Sequence, residues 1–191
     1  IPSVARHRRN EILRQIATLP VAGRTLPSFT DLAEGRVTFS DLRDLDIDDL
    51  LGRGSVAPNH FLLEKNITNK TVMVTGAGGS IGSEPCRQII QLKPEKLLLV
   101  EMNEYALYAI NSQLDETLVV PLLASVQDAD RMLEIVATWS PATIYHTAAY
   151  KHVPLVEHNL AEGVKNNVMG TLTMAQVAIE RGVSDFVLIS T

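Results

Sequence analysis

Residues Thr71–Glu84 read TVMVTGAGGSIGSE, and this stretch decides the fold. A run of β-branched and apolar residues predicts a buried strand, and the glycine-rich turn after it opens a helix. Gly76 makes the sharp turn, Gly79 has no side chain to block a phosphate, and Gly82 lets the helix pack against the strand. The segment therefore predicts a site for the pyrophosphate of a dinucleotide.

Two further features favour a dinucleotide site over an ordinary glycine-rich turn. Backbone N–H groups around Ser80 and Ile81 lie at the positive end of the new helix, where an anion replaces their missing intrahelical partners. Glu101 ends the segment LLLVE nineteen residues after Gly82, where an acid accepts hydrogen bonds from both hydroxyls of the adenosine ribose. A 2′-phosphate would meet like charge there, and the following MNEYALY holds no Arg or Lys to offset it. The sequence therefore favours NAD, with NADP as the alternative cofactor.

From residue 67 onward strands and helices alternate, which predicts a Rossmann-type doubly wound α/β fold. Right-handed crossovers give a parallel sheet in the strand order 3-2-1-4-5. The predicted strands are Thr71–Thr75, Lys96–Val100, Leu118–Leu123, Thr143–His146 and Phe186–Ser190. The predicted helices are Ile81–Gln91, Glu104–Asp115, Asp128–Thr138 and Glu162–Arg181. Pro85 is compatible with the first of them only if that helix begins late enough.

Residues 1–66 show no such alternation. RRNEILRQIATL predicts a short amphipathic helix, and the segments FTDLAEG and FSDLRDLDIDDLLGR are rich in Asp-capped turns. The apolar residues of these segments are too few for a separate core. We therefore expect residues 1–66 to form a mostly helical or irregular arm that packs on a Rossmann domain over residues 67–191.

The composition is that of a globular protein and argues against a nucleic-acid partner. Hydrophobic residues make up 46% of the 191 residues, charged residues make up 20%, and the formal net charge is −5. The basic cluster at residues 6–9 is too small to suggest a nucleic-acid surface. Cys86 is the single cysteine, so no intrachain disulfide is possible and a reducing compartment is expected. It lies in the first predicted helix and is expected to pack there.

Histidine and aspartate patterns do not predict a metal site. His146, His152 and His158 recur at intervals of six residues, which places no pair on one helical face. The four aspartates within residues 44–49 lack the glycine and the closing glutamate of a calcium loop, and they are expected to cap turns or contact solvent.

Several segments closely resemble one family. The segments YHTAAYKHVPLVEHN, EGVKNNVMGTLTMAQVA, TLPSFTDLAEGR and DIDDLLGR, with the glycine turn, resemble the CapD-type UDP-N-acetylglucosamine 4,6-dehydratases of bacterial polysaccharide and glycan biosynthesis. The GxxGxxG spacing is similar to that of the extended short-chain dehydrogenase/reductase superfamily, to which these enzymes belong. The resemblance covers essentially the whole chain, and AAYKHVPLVE is its most specific part.

The resemblance implies roles for residues near the ends of the strands. The implied cofactor contacts are Ser125 and Val126 at the adenine, and Thr147, Ala148 and Ala149 on the nicotinamide side. The implied substrate contacts are Tyr150, Lys151, His152 and Glu157. Asn167 would brace the long helix by bonding backbone groups, and Thr191 would hydrogen-bond the reacting hydroxyl. The sequence departs from the family where Thr147 replaces the usual alanine and Pro85 the usual leucine.

In such enzymes, hydride leaves C4 of the sugar for NAD, water is lost across C5 and C6, and the hydride returns to C6. The resemblance implies that the remaining catalytic residues lie beyond Thr191, so we expect this chain alone to be inactive. A UDP-sugar epimerase on the same fold is one alternative, because it would use the same C4 oxidation. A non-catalytic NAD-sensing module is another, since fold alone does not give function.

The ends of the chain, at Ile1 and Thr191, suggest a piece of a longer protein. No run of eighteen apolar residues and no signal peptide is found, so this portion is expected to be soluble and cytoplasmic. The resemblance implies a membrane-anchored parent protein whose active part faces the cytoplasm at the inner membrane. It also implies a UDP-sugar substrate and a homo-oligomer.

Overall fold

The computed structural model describes residues 24–25, 43–44 and 59–190. The chain divides into two compact units, Ile1–Pro58 and Asn59–Thr191. In the first unit, the strands β1 (Arg24–Thr25) and β2 (Arg43–Asp44) pair antiparallel. The other residues of this unit lie outside the described residues.

The second unit begins with a helix that the sequence had assigned to the arm. Helix α1 (His60–Ile67) is capped by the Asn59 side chain, which accepts a hydrogen bond from the Leu62 amide at 3.3 Å. Ile67 is buried in the core of this unit, and the Asn66 carbonyl accepts a hydrogen bond from the Thr143 hydroxyl at 2.9 Å. The predicted domain boundary after residue 66 thus falls inside α1, which is tied to the sheet by these contacts.

Five parallel strands form the central sheet of the second unit. They are β3 (Thr71–Thr75), β4 (Lys96–Glu101), β5 (Val119–Leu123), β6 (Thr143–His146) and β7 (Asp185–Leu188). Their order in the sheet is β5-β4-β3-β6-β7, which confirms the predicted order 3-2-1-4-5 and the Rossmann-type fold. Pro121 lies in β5, at the edge of the sheet, where a missing backbone donor is tolerated.

The central strands β3, β4 and β6 are largely buried on both faces, because helices cover each face of the sheet. Val72 and Val74 of β3 join one core cluster, whereas Met73 between them joins the other, since successive side chains point to opposite faces. The covering helices are α2 (Ser83–Gln91), α3 (Glu104–Asn111) and α4 (Ala129–Trp139). Pro85 is the third residue of α2, within the first turn where amides have no intrahelical acceptor.

Helix α3 ends earlier than expected, at Asn111 instead of Asp115. The Asp115 carboxylate accepts hydrogen bonds from the backbone N–H of Thr117 at 3.0 Å and from its hydroxyl at 2.8 Å. Such a local side-chain turn competes with helical hydrogen bonding, and here it leads the chain into β5.

The segment after β6 differs most from the prediction. Helix α5 (Val153–His158) forms where a loop was expected, and the predicted helix Glu162–Arg181 is divided into three parts. These are α6 (Leu160–Gly163), a π-helix (Val164–Gly170) and α7 (Thr171–Glu180). The π-helix contains Asn166 and Asn167, whose side chains bond to groups outside the helix, and π-helical turns are frequent at functional sites. Between residues 59 and 190, no helix is both long and apolar enough to cross a membrane.

Candidate functional site

Two adjoining cavities lie at the carboxyl end of the sheet, where ligands of doubly wound folds bind. The larger has a volume of about 530 Å³ and lies between the glycine turn and the segment from β6 to α6. The smaller has a volume of about 110 Å³ and includes Glu101 and Val126. Both are lined by Gly79, Thr147, Ala149 and Tyr150, so the two cavities adjoin along these residues, and together they are called the groove.

The glycine turn requires glycine at positions 76 and 82. Gly76 has φ of +68°, and a Cβ there would lie 2.7 Å from the Ala148 Cα. A Cβ on Gly82 would lie 2.1 Å from the Gly76 carbonyl oxygen and 2.5 Å from the Thr147 hydroxyl. Side chains at these positions would therefore push β3, β6 and the start of α2 apart.

The turn presents backbone donors to the larger cavity. Ser80, Ile81 and Gly82 line that cavity, and within the described part of the chain their amides have no hydrogen-bond partner. They immediately precede α2, so the positive end of the helix dipole faces the same region. This arrangement fits the pyrophosphate of a dinucleotide.

Glu101 binds backbone amides of two segments, the glycine turn and the residues just after β4. One carboxylate oxygen, Oε2, accepts a hydrogen bond from the Gly78 amide at 3.1 Å. The other, Oε1, accepts from the amides of Met102 at 2.9 Å and Asn103 at 3.0 Å. Since a carboxylate has about four acceptor positions, one remains, on Oε2. Glu101 can thus accept one ribose hydroxyl in this arrangement, and it also holds the glycine turn against the end of β4.

Of the two residues predicted to contact the adenine, only Val126 lines a cavity. Val126 is buried and lines the smaller cavity. The Ser125 hydroxyl instead accepts a hydrogen bond from the Gln127 amide at 3.2 Å, and Ser125 is not among the lining residues. Ala148 and Ala149, predicted on the nicotinamide side, both line the smaller cavity, and Ala149 also lines the larger one.

The structure brings together three of the four predicted substrate contacts. Tyr150, Lys151 and His152 line the larger cavity, opposite the glycine turn. Glu157 lies on α5 and does not line either cavity. The acid that lines the larger cavity is Glu162, whose carboxylate pairs with the Lys165 ammonium at 2.9 Å. Glu162 was missed because only the fold of α5 and α6 brings it to this wall.

Asn167 fixes the start of the Tyr150 loop. Its side-chain oxygen accepts a hydrogen bond from the Tyr150 amide at 2.8 Å, and its side-chain nitrogen donates to the Tyr150 carbonyl at 2.9 Å. The same oxygen accepts a hydrogen bond from the side-chain nitrogen of Asn166 at 3.0 Å. Asn167, which was predicted to brace the long helix, therefore holds the loop through both backbone groups of Tyr150.

Thr147 has a structural use for its hydroxyl, which the alanine usual in the family lacks. Its Oγ1 donates to the Thr75 carbonyl at 2.7 Å, with a longer contact of 3.3 Å to the Gly76 carbonyl. The Thr147 amide donates to the same Thr75 carbonyl at 3.1 Å. The end of β6 thus holds the beginning of the glycine turn through two donors.

His146 is a buried polar residue that the sequence did not assign to the site. Its side chain is 1% exposed, and its ring contacts the hydroxyls of Thr75 and Thr171. Burial lowers the pKa of this imidazole to about 4, so the ring is neutral at pH 7. Its place at the end of the apolar strand TIYH was a signal, because a titratable residue in a buried run needs partners.

Cys86 was expected to pack in the first helix, and the structure places it there, away from the site. Cys86 is fully buried in the core against the sheet, and burial raises the pKa of its thiol to about 12, which leaves it unreactive. Thr191, predicted to bond the reacting hydroxyl, lies outside the described residues.

Sequence comparisons place the chain among known proteins. A family model described as polysaccharide biosynthesis protein matches residues 72–191. The chain is 40% identical to the capsular polysaccharide biosynthesis protein CapD of Staphylococcus aureus and 38% identical to the probable polysaccharide biosynthesis protein EpsC of Bacillus subtilis. Both matches cover 100% of this chain and 33% of the relative, so the chain spans about a third of their length.

Two more distant matches have names that state a sugar-nucleotide substrate. A UDP-N-acetylglucosamine 4,6-dehydratase (inverting) of Campylobacter jejuni is 28% identical over 64% of this chain and 36% of its own length. The crystal structure of the UDP-glucose 4-epimerase of Thermotoga maritima with UDP-glucose superposes with a TM-score of 0.58. That match has 25% sequence identity and covers 63% of this chain and 38% of the epimerase.

Proposed function

This chain belongs to the polysaccharide biosynthesis protein family, and from that membership we propose that it forms the nucleotide-binding part of a UDP-N-acetylglucosamine 4,6-dehydratase. The observation that carries the proposal is the groove, which is lined by the glycine turn and Glu101 and also by the Tyr150–Lys151–His152 loop. In this proposal a dinucleotide lies against the turn and Glu101, and a second ligand contacts the loop. The full-length protein would supply the remaining catalytic residues.

The residues present fit NAD. The amides of Ser80, Ile81 and Gly82 would hold the pyrophosphate, and the free acceptor position on Glu101 would take a ribose hydroxyl. Glu101 carries negative charge at the end of β4, which disfavours the 2′-phosphate of NADP. When bound, NAD would take a hydride from C4 of the sugar and later return it to C6.

The wall opposite the glycine turn would receive the sugar nucleotide. Lys151 and His152 are exposed and line the larger cavity, so their nitrogen atoms can donate hydrogen bonds to the anionic diphosphate of a UDP-sugar. Asn167 fixes this loop through the Tyr150 backbone, which limits the conformational entropy lost when the ligand binds. Support for a UDP-sugar comes from the Campylobacter dehydratase and the Thermotoga epimerase, whose names state such substrates.

A UDP-sugar 4-epimerase is the second candidate function. The match to the Thermotoga epimerase favours it, since the described part of the chain shares its fold with that enzyme. Both reactions require oxidation at C4, so the groove serves either one. The membrane anchor, the location and the oligomeric state of the full-length protein stay predictions.

Binding of UDP-N-acetylglucosamine to the full-length protein distinguishes the proposed dehydratase from a non-catalytic NAD-sensing module. We expect calorimetry to detect binding of this sugar nucleotide in the presence of NAD, and mass spectrometry to detect loss of one water from it. Lys151→Ala should weaken binding by about tenfold, the effect of losing one charge-assisted hydrogen bond. Lys65→Ala is the matched control, because Lys65 is exposed on α1 and lines neither cavity. Binding of NAD without any affinity for the sugar nucleotide would contradict the proposal.

A further inference from the structure

A chain of hydrogen bonds runs through the protein from the glycine turn to the π-helix. The Thr75 hydroxyl lies 2.7 Å from Nδ1 of His146, and Nε2 of the same ring lies 3.0 Å from the Thr171 hydroxyl. The Thr171 hydroxyl in turn donates to the Asn167 carbonyl at 2.7 Å. Thr75 is fully buried and His146 nearly so, which leaves water little access to this chain.

The partners of these groups determine the direction of every bond. The Thr171 hydroxyl has one proton, and it goes to the Asn167 carbonyl, so Oγ1 of Thr171 must accept from Nε2–H of His146. In a neutral ring Nδ1 is then the acceptor, and it receives the proton of the Thr75 hydroxyl. The opposite tautomer would leave the Thr75 proton and the Asn167 carbonyl without these partners. The network therefore selects the Nε2–H tautomer.

The two ends of this hydrogen-bond chain adjoin two different parts of the groove lining, the glycine turn and the Tyr150 loop. Thr75 directly precedes Gly76, and its carbonyl also receives the amide and hydroxyl of Thr147. Asn167 holds both backbone groups of Tyr150, where the loop against the larger cavity begins. His146 is the one link between them that has a donor and an acceptor in a rigid ring.

We propose that His146 is a positioning residue that couples the glycine turn to the Tyr150 loop, so that these two parts of the groove lining keep their relative placement. The assignment of the cofactor to the turn and of the sugar nucleotide to the loop rests on the proposed function. The coupling itself is a property of the free protein. The His146 ring stacks on Phe186, with 5.9 Å between the ring centroids, and this contact holds the imidazole plane in the orientation that both bonds require.

Two substitutions can break one end of the link at a time. In His146→Asn the side-chain oxygen can take the place of Nδ1 and accept from Thr75, but nothing reaches Thr171. In His146→Gln the side-chain nitrogen can take the place of Nε2 and donate to Thr171, but Thr75 loses its acceptor. His146→Leu removes both bonds and fills the buried position with an apolar side chain, so it is the reference for loss of the whole link.

Amide hydrogen exchange of the full-length protein without ligands tests the coupling directly. His146→Asn should speed exchange of the Tyr150 amide by about tenfold and leave the Thr147 amide near its wild-type rate. His146→Gln should give the reverse pattern, and His146→Leu should speed exchange at both amides. ¹⁵N NMR of the wild-type imidazole should show a protonated Nε2 and an unprotonated Nδ1. Equal effects of the Asn and Gln variants, no effect of either, or the opposite tautomer would overturn the proposal.

Ligand binding gives a second readout that separates this inference from the proposed function. His146→Asn should weaken UDP binding by about tenfold with NADH binding near wild type, and His146→Gln should do the opposite. If the wild-type protein binds neither NADH nor UDP, the proposed function fails, while the exchange pattern still decides the coupling.

Discussion

Replacing His146 by leucine should change how the stability of the protein depends on pH. Burial lowers the pKa of this imidazole to about 4 in the folded protein, whereas the pKa of an unfolded chain is about 6.5. Between these two values the unfolded state binds a proton that the folded state does not. Stability therefore falls as the pH drops from about 6.5 to about 4, by about 1.4 kcal/mol per pH unit and about 3 kcal/mol in all.

Urea unfolding at a series of pH values from 7 to 4 measures this effect. The free energy of unfolding of the wild type minus that of His146→Leu should shrink by about 3 kcal/mol over this interval, because the variant has no imidazole to titrate. Ile144→Val is the matched control, since Ile144 is buried in the same strand and its loss of about 1 kcal/mol should not vary with pH. A difference between wild type and His146→Leu that stays constant with pH would refute the reasoning.

Three further substitutions test the groove. Glu101→Gln should lower the preference for NADH over NADPH by about tenfold in binding assays, because the repulsion of a 2′-phosphate is lost; an unchanged ratio would count against the ribose contact. Gly82→Ala should lower the free energy of unfolding by about 2 kcal/mol or more and abolish NADH binding, because its Cβ would lie 2.1 Å from the Gly76 carbonyl; wild-type calorimetric stability would contradict the close packing. Asn167→Asp should weaken UDP binding and destabilise the protein by about 1–3 kcal/mol in urea unfolding, because the Tyr150 carbonyl loses its donor; a neutral variant would show that the loop is held elsewhere.

The fold could be predicted because its signals are local. The glycine turn after TVMVT depends on residues within a few positions of one another, and the alternation of strands and helices follows from hydrophobic pattern. The handedness of parallel crossovers then leaves few possible sheet orders. The assignment of Tyr150, Lys151 and His152 to the groove followed from their position at the end of β6 and from the family resemblance.

Features that depend on contacts between distant segments could not be predicted. Asn166 and Asn167 are visible as poor helix formers, but their bonds to Gln127 and Tyr150 appear only once the sheet has brought α4 and the loop after β6 together. The same holds for His146, whose partners are 71 and 25 residues away along the chain.

The larger cavity is lined by Glu162 and not by the predicted Glu157, and the cause is related. The sequence shows both acids, but α5 ends at His158 and a new helix begins at Leu160. This break directs α6, and not the outer face of α5, toward the larger cavity. The family resemblance suggested Glu157 for a segment expected to be a loop, so it gave no information on this change of direction.

The fate of the hydrogen on C4 of the sugar tests the central claim most directly. Full-length protein with NAD would be incubated with UDP-N-acetylglucosamine carrying deuterium at C4, and the product examined by mass spectrometry and NMR. The proposed dehydratase predicts a product that has lost one water and carries the deuterium at C6. A product of unchanged mass with deuterium still at C4 and an altered configuration there would contradict it and identify an epimerase.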